Sequence, residues 1–92
     1  MINRVKLARK VTKGLAKLPR HITAKLQGWV AGVQLLGLEE IRKIPGYHDE
    51  PLAGDRLGQR SIRLSREWRA YYTIEGDQVQ CVLVIEVNHH DY

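Results

Sequence analysis

The chain has one cysteine, no apolar run long enough to cross a membrane, no low-complexity tract and no internal repeat. Each absence excludes something. A lone Cys81 rules out an intramolecular disulfide framework and any cysteine-based zinc cluster. Its apolar neighbours make it a candidate core residue and not a nucleophile. Without about 18 consecutive apolar residues there is no membrane span. The basic N-terminus lacks the continuous apolar stretch of a signal peptide, so a cytoplasmic protein is expected. Ninety-two residues leave room for one domain and one core, 1–92. A chain of this size buries only about 60–65% of its unfolded surface, a thin margin that support from a partner protein would widen.

What is present is positive charge. Fifteen Lys and Arg stand against ten Asp and Glu, a net +5 with a pI near 9.7. Such a surface favours phosphate-rich or acidic partners, although small basic domains also occur without any nucleic-acid role.

The periodicity divides the chain into a helical first half and a strand-rich second half. Val5 and Leu7 alternate with polar residues as a short strand does. Val11, Leu15 and Leu18 fall on one face of a helix that Pro19 ends or bends. Ile22, Leu26, Trp29, Val30 and Val33 define a second helix, which Gly37 stops. From Ile44 to Gly58, three glycines and two prolines mark a loop or irregular connection. After it, Arg60–Leu64, Trp68–Ile74 and Val79–Val87 read as strands, with a turn at Glu75-Gly76-Asp77. The unbroken apolar stretch Cys81–Ile85 predicts a strand covered on both faces. Two N-terminal helices packed on a small, mostly antiparallel sheet give an α+β fold.

Alternation also sorts the polar residues. If Ile62 and Leu64 face the helices, Arg63 faces away, and Arg69 falls on the same open surface of the next strand. Arg66, in the connecting turn, either joins them or is simply solvated. Guanidinium groups match phosphate oxygens in a planar fork and stay charged at physiological pH. Two arginines on one sheet face therefore suit a phosphate or RNA backbone. Surface ion pairs with Glu67 or Glu86 would explain them equally well.

Two further clusters hold titratable groups. His48-Asp49-Glu50 lies inside the irregular connection. Asn88-His89-His90-Asp91-Tyr92 follows the last strand and offers two imidazoles, a carboxylate and a phenol for proton transfer near neutrality. The same residues could form half of a metal site, but no third and fourth ligand has reliable spacing. A frayed terminus without function is the plainest alternative.

The stretches Glu50-Pro51-Leu52-Ala53-Gly54-Asp55, Gly58-Gln59-Arg60-Ser61-Ile62-Arg63-Leu64 and Trp68-Arg69-Ala70-Tyr71-Tyr72 together resemble the RelE/ParE toxin superfamily. The likeness is nearest to its YoeB and HigB branches of messenger-RNA interferases, which share a "PL-x-G" loop and an "R-x-x-Y" strand. Val87-Asn88-His89-His90-Asp91-Tyr92 is similar to the family's final strand, and Lys17-Leu18-Pro19 to the link between its helices. Order and spacing, not any single element, carry the resemblance.

The resemblance implies a type II toxin that cleaves messenger RNA at the ribosome, held by a cognate antitoxin, with no cofactor or metal. The 2′-hydroxyl attacks the adjacent phosphorus, a step that needs a base, a cation and an acid. By position in the motifs, Glu50 is the implied base, with His48 the runner-up, and Arg69 stabilises the phosphate. Arg63 matches a neighbouring basic position, with Arg66, His89 and His48 as further RNA contacts. His90, or else His89, is the implied acid, and Tyr92 would stack on or orient the target base. The Arg69-to-Tyr92 spacing exceeds that of YoeB-like members and leaves the choice of histidine open. The same superfamily includes ParE-type gyrase poisons, and a toxin fold that only binds is a third possibility.

Overall fold

A computed structural model describes residues 1–89. Its elements are β1 (Val5–Leu7), α1 (Arg9–Gly14), α2 (Arg20–Leu36), α3 (Leu38–Arg42), β2 (Glu50–Pro51), β3 (Arg60–Arg63), β4 (Trp68–Glu75) and β5 (Cys81–His89). Single 3-10 turns stand at Leu15–Lys17, Pro45–Tyr47 and Gly54–Arg56.

The second helix forms where the apolar period requires it. Ile22, Leu26, Trp29 and Val33 make one stripe, and all four are buried. Pro19 precedes it as the N-cap, a place where a missing N–H costs nothing, and its carbonyl accepts from Ile22 and Thr23. At the other end Gly37 adopts φ 87°, which a side chain tolerates poorly, and a Cβ there would lie 2.6 Å from the Met1 side chain. The chain then enters α3, which the pattern of the sequence does not reveal. Five residues are too few for a periodic signal, and only Leu38 and Ile41 turn inward.

The five strands form one mixed sheet in the order β1-β5-β4-β3-β2. β1 runs parallel to β5, and every other pair is antiparallel. The α+β architecture expected from the sequence is therefore present. Tyr72 and Ala70 of β4, Ile62 of β3, and Val82 and Val84 of β5 pack under α2. Trp29 meets Tyr72 at the centre, with ring centroids 5.2 Å apart and planes inclined by 43°. Side chains of this size contribute about 1.5–3 kcal/mol each when fully buried.

Two expectations need correction. Cys81–Ile85 is not covered on both faces: Val82 and Val84 are buried under the helices, while Leu83 and Ile85 are only half-buried. Hydrophobicity at every position reflects an interior strand, not a two-sided core. The last strand also begins two residues later than Val79, because the turn at Gly76 (φ 95°) extends through the residues before Cys81.

Candidate active site

The site is organised by the short strand β2. Glu50 pairs with Ser61 and Pro51 with Arg60, and Pro51 brings no N–H to the ladder. So brief a pairing needs other anchors, and the preceding residue supplies one. The Asp49 carboxylate is fully buried, accepting from Arg60 Nε at 2.6 Å and from the Tyr72 hydroxyl at 2.6 Å. Arg42 Nε donates to the same hydroxyl at 3.4 Å, which links α3 to the cluster. A buried carboxylate is tolerated only with such partners.

The charges leave their mark on proton affinities. Burial, followed by the hydrogen bond to Asp49, pushes the Tyr72 phenol up to about 12, against a smaller opposing effect of Arg42. Burial alone would lower the affinity of the Arg60 guanidinium, but its hydrogen bond and attraction to Asp49, joined by smaller effects of Tyr72, together raise the value. This clamp lies on the helix side of the sheet, where Arg60 and Tyr72 are register partners.

Glu50, the next residue, belongs to the opposite face. Its Oε1 lies 3.8 Å from Arg69 Nη1, across the intervening strand β3. Leu52, Ser61 and Tyr71 complete with them an open depression of about 210 Å³. Glu50 is half-exposed, whereas Arg69 retains only 23% of its side-chain exposure. Arg69 Nη1 is shielded from solvent and makes no hydrogen bond among the described residues. At 3.8 Å the carboxylate balances its charge without satisfying its donor, which leaves Nη1 without an acceptor among the described residues.

Other residues singled out in the sequence are dispersed around this pair. Arg63 is the register partner of Arg69 and is half-buried, but it does not line the depression. Arg66 is exposed in the β3–β4 turn. His48 is exposed in a left-handed conformation (φ 49°) and is also outside the depression. His89 pairs in register with Trp68, meets that ring edge-on at 5.2 Å, and lies 3.3 Å from Glu67 Oε2. It therefore shares the face of Trp68, not that of Arg69. His90 and Tyr92 lie outside the described residues.

The alternative explanation of the arginines as partners of Glu67 or Glu86 fails for Arg69, whose counter-charge is Glu50. Glu86 instead binds Arg56 at 2.9 Å and Lys10 at 3.5 Å. Sequence reasoning missed Arg56, whose guanidinium lies 4.1 Å above the Tyr71 ring. It sits in a 3-10 turn, where no periodicity assigns a face. Among the described residues, no three His, Cys, Asp or Glu side chains gather as a metal site. No helix among them is long and apolar enough to cross a membrane.

No protein-family model matches the chain, and no curated protein matches it significantly. Solved structures do. The YoeB/ParE toxin from Agrobacterium tumefaciens superposes with a TM-score of 0.67 at 19% identity, covering 96% of this chain and 99% of its own. The archaeal RelE–RelB complex from Pyrococcus horikoshii OT3 gives 0.71 at 18% identity, over 97% of this chain and 96% of the other. The toxin–antitoxin complex RelBE2 from Mycobacterium tuberculosis gives 0.66 at 22% identity, over 98% and 100%. The fold is the RelE/ParE toxin fold. Coverage near completeness on both sides means that the RelE/ParE resemblance extends over the helices as well as over the motif-bearing strands. At these identities the likeness concerns architecture, and the chemistry rests on the residues themselves.

Proposed function

We propose that the chain is the toxin of a type II toxin–antitoxin pair and an endoribonuclease acting on messenger RNA at the ribosome. The observation that carries this reading is the Glu50–Arg69 pair: a half-exposed carboxylate beside a guanidinium with an unused donor, on the open face of a RelE/ParE-type sheet. Glu50 removes the proton from a ribose 2′-hydroxyl. The oxygen then bonds to the adjacent phosphorus while the bond to the 5′-oxygen breaks. Arg69 stabilises the charge that grows on the phosphorane oxygens, a role suited to a planar, permanently charged donor. The leaving 5′-oxygen takes a proton from a general acid. His90 is the residue proposed for that role, with Tyr92 orienting the target base; His89, which shares the face of Trp68, is the second candidate. Arg63 and Arg66 contribute to the basic surface that attracts the RNA backbone, and no step calls for a metal.

An antitoxin partner follows from the same reading. The matching structures include RelE–RelB and YoeB–YefM complexes, and a basic site suits an acidic or helical segment that covers it. The test is expression of the wild-type chain and of Arg69→Ala in growing cells, with transcripts mapped for new 5′ ends. Growth arrest with breaks inside translated reading frames, both abolished by Arg69→Ala, is expected. Arrest with intact transcripts and a DNA-damage response would overturn the nuclease and point to gyrase.

A further inference from the structure

Beside the Glu50–Arg69 pair the sheet carries a second feature that the proposed chemistry does not use. Tyr71 lines the depression, and the Arg56 guanidinium lies over its ring with Cζ 4.1 Å from the centroid. The guanidinium is fixed along its edges as well. Nη1 donates to Gln59 Oε1 at 2.8 Å, and Nη2 donates to Glu86 Oε2 at 2.9 Å. Glu86 is itself held by Lys10 Nζ at 3.5 Å and by Asn88 Nδ2. Over the ring and bonded at both terminal nitrogens, the Arg56 side chain still keeps 36% of its surface exposed.

We infer that Arg56 on Tyr71 is a stacking platform for a nucleotide base next to the scissile linkage. This rests on the RNA-cleaving reading above and adds a second subsite to it. Guanidinium planes and aromatic rings are the surfaces on which unpaired RNA bases stack. Arg56 is already immobilised, so a base settling on it orders little that was free. Gln59 and Glu86 each take a donor from one terminal nitrogen, which fixes the guanidinium over the ring while part of the side chain stays open to a ligand. The row Glu50–Ser61–Tyr71–Glu86 runs straight across the sheet through successive register pairs. A strand of RNA crossing that row would place a phosphate at Arg69 and a neighbouring base over Arg56.

Stacking and charge are separable by substitution, because lysine keeps the charge and loses the plane. The probe is a short, fully 2′-O-methylated single-stranded RNA, which carries bases and phosphates but no attacking hydroxyl. Its affinity is measured against salt concentration for wild type, Arg56→Lys, Arg56→Gln and Tyr71→Leu. The inference expects all three variants to weaken binding by about fivefold or more. Arg56→Lys should do so with the salt dependence of wild type. Wild-type affinity for Arg56→Lys, with loss only for Arg56→Gln, would make Arg56 a simple phosphate contact and overturn the platform. Unchanged binding in every variant would overturn it while leaving the nuclease reading intact. Failure of the wild type itself to bind would count against that reading and the platform together.

Discussion

Glu50 and Arg69 come from strands that do not touch each other, yet their charged groups meet at 3.8 Å above the strand between them. A half-exposed pair at that distance adds about 0–1 kcal/mol to stability, so folding alone gives little reason for it. Substitutions here should separate activity from stability. Glu50→Gln is expected to slow RNA cleavage by about 10²–10⁴-fold, the usual worth of a general base. Its unfolding free energy should stay within about 0.5 kcal/mol of wild type in urea titrations. A fall in stability equal to the loss of activity would contradict the assignment.

Asp49, one residue away, should behave in the opposite sense. Asp49→Ala leaves Arg60 and the Tyr72 hydroxyl without their buried acceptor and is expected to cost about 3–5 kcal/mol. Cleavage should fall as well, because the clamp fixes the segment that carries Glu50. Chemical denaturation of Asp49→Ala beside Glu50→Gln checks this contrast. Equal stabilities would refute it.

The raised phenol of Tyr72 has a consequence at high pH. An ordinary tyrosine titrates near 10, and this one near 12, so folding favours the protonated hydroxyl. The stability it contributes is fully present below about pH 10 and is lost as pH rises towards 12. Tyr72→Phe should therefore be less stable than wild type at neutral pH, by about 1 kcal/mol. The gap should narrow between pH 10 and pH 12. Tyrosinate absorbance offers a direct check: one of the four tyrosines should titrate late in the wild type and be missing from the variant.

His89 and His90 can be told apart by function. His89 packs beside Trp68 and near Glu67, so His89→Ala should mainly affect the end of the sheet and leave cleavage within about tenfold of wild type. His90→Ala should reduce it by about 10²-fold or more, as the loss of a general acid does. Cleavage rates of the two variants, compared at one pH, decide the matter. The reverse order would move the acid role to His89.

Much of this was legible because strand alternation assigns a face without knowledge of the fold. Ile62, Ala70 and Tyr72 fall inward and Arg69 and Tyr71 outward as alternation demands, and the stripe of α2 is equally plain. The convergence of Glu50 on Arg69 was anticipated only through the family motifs, since no periodic signal marks a two-residue strand. Asp49 could be seen as one of three clustered titratable residues, but its burial depends on Arg60 and Tyr72 arriving from two other strands. Arg56 was hidden by its turn, and α3 by its brevity. Local pattern shows which side a residue faces; long-range pairing decides what it meets.

The central claim is that Arg69 and Glu50 direct a ribose 2′-hydroxyl onto its phosphate. It is tested most directly by single-turnover cleavage of a defined message on translating ribosomes, with and without one 2′-deoxy substitution at the mapped site. The account predicts rapid cleavage by wild type and a loss of about 10²–10³-fold for Arg69→Ala. It also predicts no cleavage at the deoxy-substituted linkage by either protein. Cleavage that persists at the deoxy site, or that is indifferent to Arg69, would contradict it.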